Sequence, residues 1–164
     1  IYNVLDLIIN VLRSFPFIIL IVFIIPLTRA IVGTPIGEAA AIVPLTIAAA
    51  PFVARIIESS LKEVDSGVIE AAKSFGASNT QIIFKVMLKE AVPSIISGLT
   101  LTIINIIGYS AMAGSVGAGG LGKVAISYGY QRYQTDVMIV TVIILIIMVQ
   151  GLQSLGNYLY KKLS

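Results

Sequence analysis

Cysteine and histidine are both absent from this 164-residue chain. Without cysteine there is no disulfide, no thiolate nucleophile and no cysteine-held metal. Without histidine the commonest general base and metal ligand is gone too. Charge is scarce, at 12% of residues, and the basic residues form no stripe interleaved with aromatics, so the footprint of a nucleic-acid binder is missing. No phosphate-binding Gly-Lys-Ser/Thr loop occurs, so the chain is not expected to hydrolyse ATP. No pair of carboxylates falls within an apolar stretch, which leaves an intramembrane enzyme with no base and nucleophile to assign. The sequence opens on Ile1, in mid-pattern and without an initiator methionine or a separate signal peptide, so a fragment or processed form is expected.

What is present in quantity is apolar. Hydrophobic residues make up 57% of the chain and the mean hydropathy is +0.99, which leaves too little polar surface to cover a soluble core. Four stretches, 15–32, 39–57, 93–113 and 137–160, come close to the ~20 residues that cross a bilayer. The first could be lengthened by residues 1–14 through a bend at Pro16. The second is alanine-rich and carries Pro44 and Pro51, so it reads as a kinked helix buried among others. The third scatters Ser94, Ser97, Gly98, Thr100, Thr102, Asn105 and Gly108 along its length. Singly these are packing residues, and together they suit a helix lining a path. A glycine-rich run, 108–122, follows and must be sheltered by protein or a water cavity. Tyr128, Tyr130 and Tyr133 suit a membrane–water interface. The expectation is one domain over 1–164, all-α, a polytopic transmembrane helical bundle with four spans and no internal repeat.

Ten of the charged residues fall between Arg55 and Glu90. In this loop, 62–92, Asp65 or Ser66 can cap a helix that carries Glu70 in its first turns and Val68, Ala72 and Phe75 on one side. Gly76 is placed to end that helix, and Ser78 with Gln81 has the spacing of a capping box for a second. Two short helices meeting at a glycine elbow are predicted. Placing this loop inside the cell puts eight basic residues inside and three (Arg29, Lys123 and Arg132) outside, in accord with the positive-inside rule.

Glu70-Ala71-Ala72, Gly76 and Val86-Met87-Leu88-Lys89 resemble the EAA motif of the permease subunits of ATP-binding-cassette importers. Lys89 stands where the family has proline, and Pro93 is placed to start the next helix instead. Arg13-Ser14-Phe15-Pro16-Phe17-Ile18, Ala41-Ile42-Val43-Pro44-Leu45-Thr46, Tyr109-Ser110-Ala111-Met112-Ala113-Gly114 and Gly119-Gly120-Leu121-Gly122 are similar to the permease subunit of methionine importers, and betaine permeases share part of the glycine run. The resemblance implies a type I importer fold in a bacterial plasma membrane, with a further span upstream of Ile1. It implies a homodimer, two copies of an ATPase that binds the ATP and magnesium, an external substrate-binding lipoprotein, and D- or L-methionine as substrate; this chain itself would hold no cofactor. Another amino acid or betaine is the alternative cargo, and a passive channel the distant one. The loop would be the coupling helix, with Glu70, Ala71, Ala72, Phe75 and Gly76 on the ATPase. Met112, before the glycines, is a candidate gate, with Tyr109 and Ser110 as the adjoining wall and Asn105 near the second copy. As a lone methionine it could equally be packing.

Overall fold

The computed structural model describes residues 2–163, and among them there is no strand. The centre of the bundle is α4 (Glu38–Lys62), which presents Ala40, Pro44, Ala48 and Pro51 as a buried line at helical spacing. Both prolines thus lie inside a continuous helix, shielded by neighbours. Along α4 runs a 35-residue helix, Asn79–Ala113, and against that lies α9 (Thr135–Leu163). Small residues set the spacing. A Cβ on Gly98 would strike the Ile56 side chain, and one on Gly156 would strike Thr100. Because lipid is as apolar as leucine, such close backbone approach holds these helices together better than bulk would. On α9 only Thr141 and Gly156 are buried, and the remaining apolar face is left for lipid or other chains.

The first apolar stretch is not the single helix that residues 15–32 predict. It is divided into α2 (Phe17–Phe23) and α3 (Ile25–Val32), and α1 (Tyr2–Ser14) meets α2 at 104°. Prolines explain both breaks. Pro16 restricts Phe15 and stands at the start of α2, while Pro26 lacks the N–H that would continue the ladder from Val22. Ile24 between them takes φ −94°, ψ 10°, outside the helical basin. Among the described residues, three helices are long and apolar enough to cross a membrane, or four if the bent α1–α2 pair is one span.

The third stretch differs in its start. The helix begins at Asn79 as α6 (Asn79–Gln81), passes through a π-helical turn at Ile82–Met87 and continues as α7 (Leu88–Ala113), so Pro93 lies inside it. The capping box at Ser78 already starts the helix upstream, and an interior proline removes one ladder bond and crowds the carbonyl four residues back without ending the helix here.

The core sits toward the end opposite the charged loop. Phe17, Leu20, Ile21 and Ile24 pack with Ala48 and Ala113, and the Phe17 ring stacks on Tyr109 at 4.6 Å. The glycine run folds onto this end: Gly117, Gly119 and Gly120 have φ of 102°, 86° and 71°, and a Cβ on Gly122 would collide with the backbone of Ala111. Ile36 and the Glu38 carboxylate lie over Gly117 and Gly119. Protein therefore shelters part of the run, while Gly108, Val116, Gly117 and Gly120 stay exposed. Beyond it, α8 (Gly120–Lys123) leads through a π-helical turn at Val124–Tyr130 that packs on α9.

Candidate functional site

At the basic end, α5 (Ser66–Ser74) is finished at both termini by its own sequence. The Asp65 carboxylate accepts from the N–H groups of Gly67 (2.7 Å) and Val68 (3.3 Å), so Asp65 rather than Ser66 is the cap. At the other end Gly76 takes φ 78°; its N–H donates to Lys73 O (2.9 Å) and that of Ala77 to Ala72 O (3.1 Å), the paired bonds of a Schellman stop. Two residues on, Gln81 N–H donates to Ser78 Oγ (3.4 Å) and Ser78 N–H to Gln81 Oε1 (2.9 Å). The elbow is thus capped in both arms.

No residue of α5 is buried. Ala72 and Ile69 are half-buried, where α5 packs on the turn 82–87, while Glu70, Ala71 and Gly76 are exposed. Phe75 is 91% exposed and Phe84 63%. The apolar side read from Val68, Ala72 and Phe75 is therefore split, with Ala72 turned inward and the other two outward. Covering an exposed phenylalanine is worth about 1.5–3 kcal/mol, a strong incentive for a partner at this face.

A second face runs up α7. Ser97, Leu101, Asn105, Gly108 and Met112 recur at helical spacing and are all exposed, Met112 to 50%, and nothing lies within 4 Å of a Cβ placed on Gly108. Asn105 and Met112 thus share one uncovered stripe. Tyr109 borders it, but its ring is turned to Phe17 in the core. Ser110 lies on another side of the helix, in a cavity with Leu45, Leu121 and Met148. Of the residues singled out around Met112, the chain brings Asn105 onto its face and leaves Ser110 off it.

The sequence did not disclose the polar groups at the basic end. The Arg55 guanidinium donates to Asp6 (2.6 Å), Asn10 (2.9 Å) and Glu58 (2.7 Å), and Lys62 reaches Glu58 (2.6 Å), which ties α1 to α4. Ser60 Oγ donates to Ser94 Oγ (3.0 Å), and Ser94 Oγ donates to Glu63 (2.9 Å), which ties α4 to α7. Glu58 and Lys62 could have been paired from their four-residue spacing. Arg55 and Glu58, three residues apart on the same helix, could have been paired the same way. The partners that cross between helices lie 31 to 49 residues apart, and no local pattern joins them.

Spans packed through small residues, an unburied capped helix at one end and an exposed stripe along α7 define a multi-pass membrane subunit shaped to meet other chains. The chain belongs to the family described as the binding-protein-dependent transport system inner membrane component, whose model matches residues 1–164. A probable D-methionine transport system permease protein MetI of Vibrio cholerae is 56% identical over 155 residues, covering 94% of this chain and 69% of that one. The methionine import system permease protein MetP of Bacillus subtilis is 46% identical over 155 residues, covering 94% and 70%. Among solved structures, the inward-facing MetNI methionine ABC transporter superposes with a TM-score of 0.95 at 48% identity, over 99% of this chain and 76% of that one. An amino acid ABC transporter, at 23% identity and a TM-score of 0.83, shares the fold.

Proposed function

We infer that this chain is the permease subunit of an ATP-binding-cassette importer, that two copies form the pathway, and that methionine is the cargo. The observation that carries the reading is α5: a helix capped at both ends, bearing Glu70-Ala71-Ala72 and Gly76, and held unburied at the basic end. That end is the cytoplasmic one by its Lys and Arg content. The likeness to methionine permeases and to the MetNI transporter supports the cargo.

The chemistry belongs to partner ATPase subunits, which bind ATP and magnesium; this chain supplies no cofactor and passes on motion. Glu70, Ala71, Ala72, Phe75 and Gly76 form the surface they hold. A movement of α5 reaches the base of the helix Asn79–Ala113 through only four residues. At 1.5 Å per residue that helix carries the displacement about 50 Å, to Met112 near its far end. Two copies of Met112 across a two-fold axis make an apolar constriction that a polar solute does not wet when closed. A substrate-binding lipoprotein delivers the amino acid from outside, and the bundle is multi-pass in the plasma membrane. Expressed with its ATPase in cells lacking their own methionine importer, the chain should restore uptake of labelled methionine, with unlabelled methionine the strongest competitor in an amino-acid panel. Uptake suppressed better by a different amino acid or by betaine would reassign the cargo.

A further inference from the structure

Between α4, α7 and the end of α9, at the cytoplasmic side, a cleft of about 470 Å3 opens. Its walls include Ser59, Ser60, Glu63, Ser94 and Ser97, with Tyr160 reaching in from α9; the Arg55 guanidinium, bonded to Asp6, Asn10 and Glu58, lines one side. Its size falls in the range of roughly 300–1,000 Å3 in which small-molecule sites lie. Ser97 and Leu101 belong both to this cleft and to the stripe that ends in Met112, so the cleft is where that stripe reaches the cytoplasm.

The hydrogen bonds in the cleft run one way. Buried Ser60 donates to Ser94 and Ser94 donates to Glu63 Oε2, which fixes the carboxylate and leaves Oε1 without a partner among the described residues. The hydroxyls of Ser59 and Ser97 likewise have no partner among the described residues. Ile56 and Leu101 supply an apolar wall. A positioned carboxylate, two unused hydroxyls and an aliphatic surface match the three parts of an α-amino acid.

We propose that this cleft is a release-side subsite for a zwitterionic amino acid. Glu63 Oε1 receives the α-ammonium, the Ser59 and Ser97 hydroxyls donate to the carboxylate, and the side chain lies along Leu101 and Ile56. The proposal rests on the importer reading given above. Glu63 is exposed to water, which weakens its hold, and weak binding suits a site from which substrate must leave.

The competing role for these residues is a clip between α4 and α7. Glu63→Gln separates the two, since glutamine keeps an acceptor for Ser94 and removes only the charge. The complex of permease and ATPase, in lipid nanodiscs without nucleotide, is irradiated with photo-methionine or photo-leucine, both of which keep the ammonium and carboxylate. Label should appear on peptides 55–63 and 94–101. Excess methionine should suppress it, and the analogue with hydroxyl in place of ammonium should not. Glu63→Gln should lower it roughly tenfold at unchanged thermal stability. Label absent from these peptides, label surviving Glu63→Gln, or equal competition by the hydroxy analogue would overturn the subsite. Methionine uptake by the same complex is scored separately. Uptake with an unlabelled cleft rejects the subsite and keeps the importer, while a Glu63-dependent label without methionine uptake keeps the subsite and rejects methionine as cargo.

Discussion

Met112 is the residue at which packing and gating make opposite forecasts. A packing methionine fills a gap in its own chain, and its loss costs stability. Met112 instead stands half-exposed on the stripe with Asn105 and Gly108. Met112→Ala should raise the ATP-independent leak of methionine from reconstituted vesicles. Met112→Trp should block uptake without reducing ATPase binding. Leak and uptake both unchanged would return Met112 to the packing class. The sequence singled out this residue from its place before the glycines, and the structure adds what those glycines meet. Gly117, Gly119 and Gly120 have positive φ, and Gly122 permits a backbone contact with Ala111 that no side chain would allow. Composition records glycine; only the fold shows which constraint each one meets.

Among the elements, α5 is the one the sequence described best, because its determinants are local. Asp65, Gly76, Ser78 and Gln81 each bond within a few residues of themselves, so spacing alone specified the elbow. These bonds also separate folding from coupling. If Gly76 did no more than cap the helix, Gly76→Asn, which tolerates positive φ, would cost about 1 kcal/mol and leave uptake near normal; a place on the ATPase-held surface predicts that uptake falls. Gly76→Pro fixes φ near −65° and deletes the N–H given to Lys73, so the elbow and uptake should both be lost. Glu70 has no ion-pair partner among the described residues, so Glu70→Lys should leave the protein in the membrane at normal levels while uptake falls. Normal uptake by Glu70→Lys with ATPase still bound would remove Glu70 from the coupling surface. The first apolar stretch was harder to read. Hydropathy sees 15–32 as continuous, whereas Pro16 and Pro26 act through a missing donor and a fixed φ, which hydropathy does not weigh. Pro93 misled in the other direction, since the capping box upstream had already started the helix it was expected to open.

At the scale of the molecule, the chain exposes more than one copy can use. The stripe on α7 and the outward Phe75 are both exposed; as proposed above, the first would meet a second copy and the second an ATPase. A closed two-fold dimer places identical stripes face to face. Asn105→Cys should therefore give an oxidative crosslink between two copies in membranes, and a monodisperse monomer that transported normally with its ATPase would exclude that arrangement. Membrane residence and bundle class were legible in composition, since 57% hydrophobic residues admit little else. The ties between α1 and α4 and between α4 and α7 were not, because Asp6–Arg55 and Ser60–Ser94 join positions 49 and 34 residues apart. The central claim is that ATPase motion entering at α5 is delivered to Met112 by one continuous helix. Spin labels at Ser110 in both copies, on another side of the helix from the stripe, report the separation of the two helix ends in the assembled complex. The account predicts that the distance distribution shifts when a non-hydrolysable ATP analogue binds, and that Gly76→Pro abolishes the shift. An unchanged distribution with and without nucleotide, in a complex that still imports methionine, would contradict it.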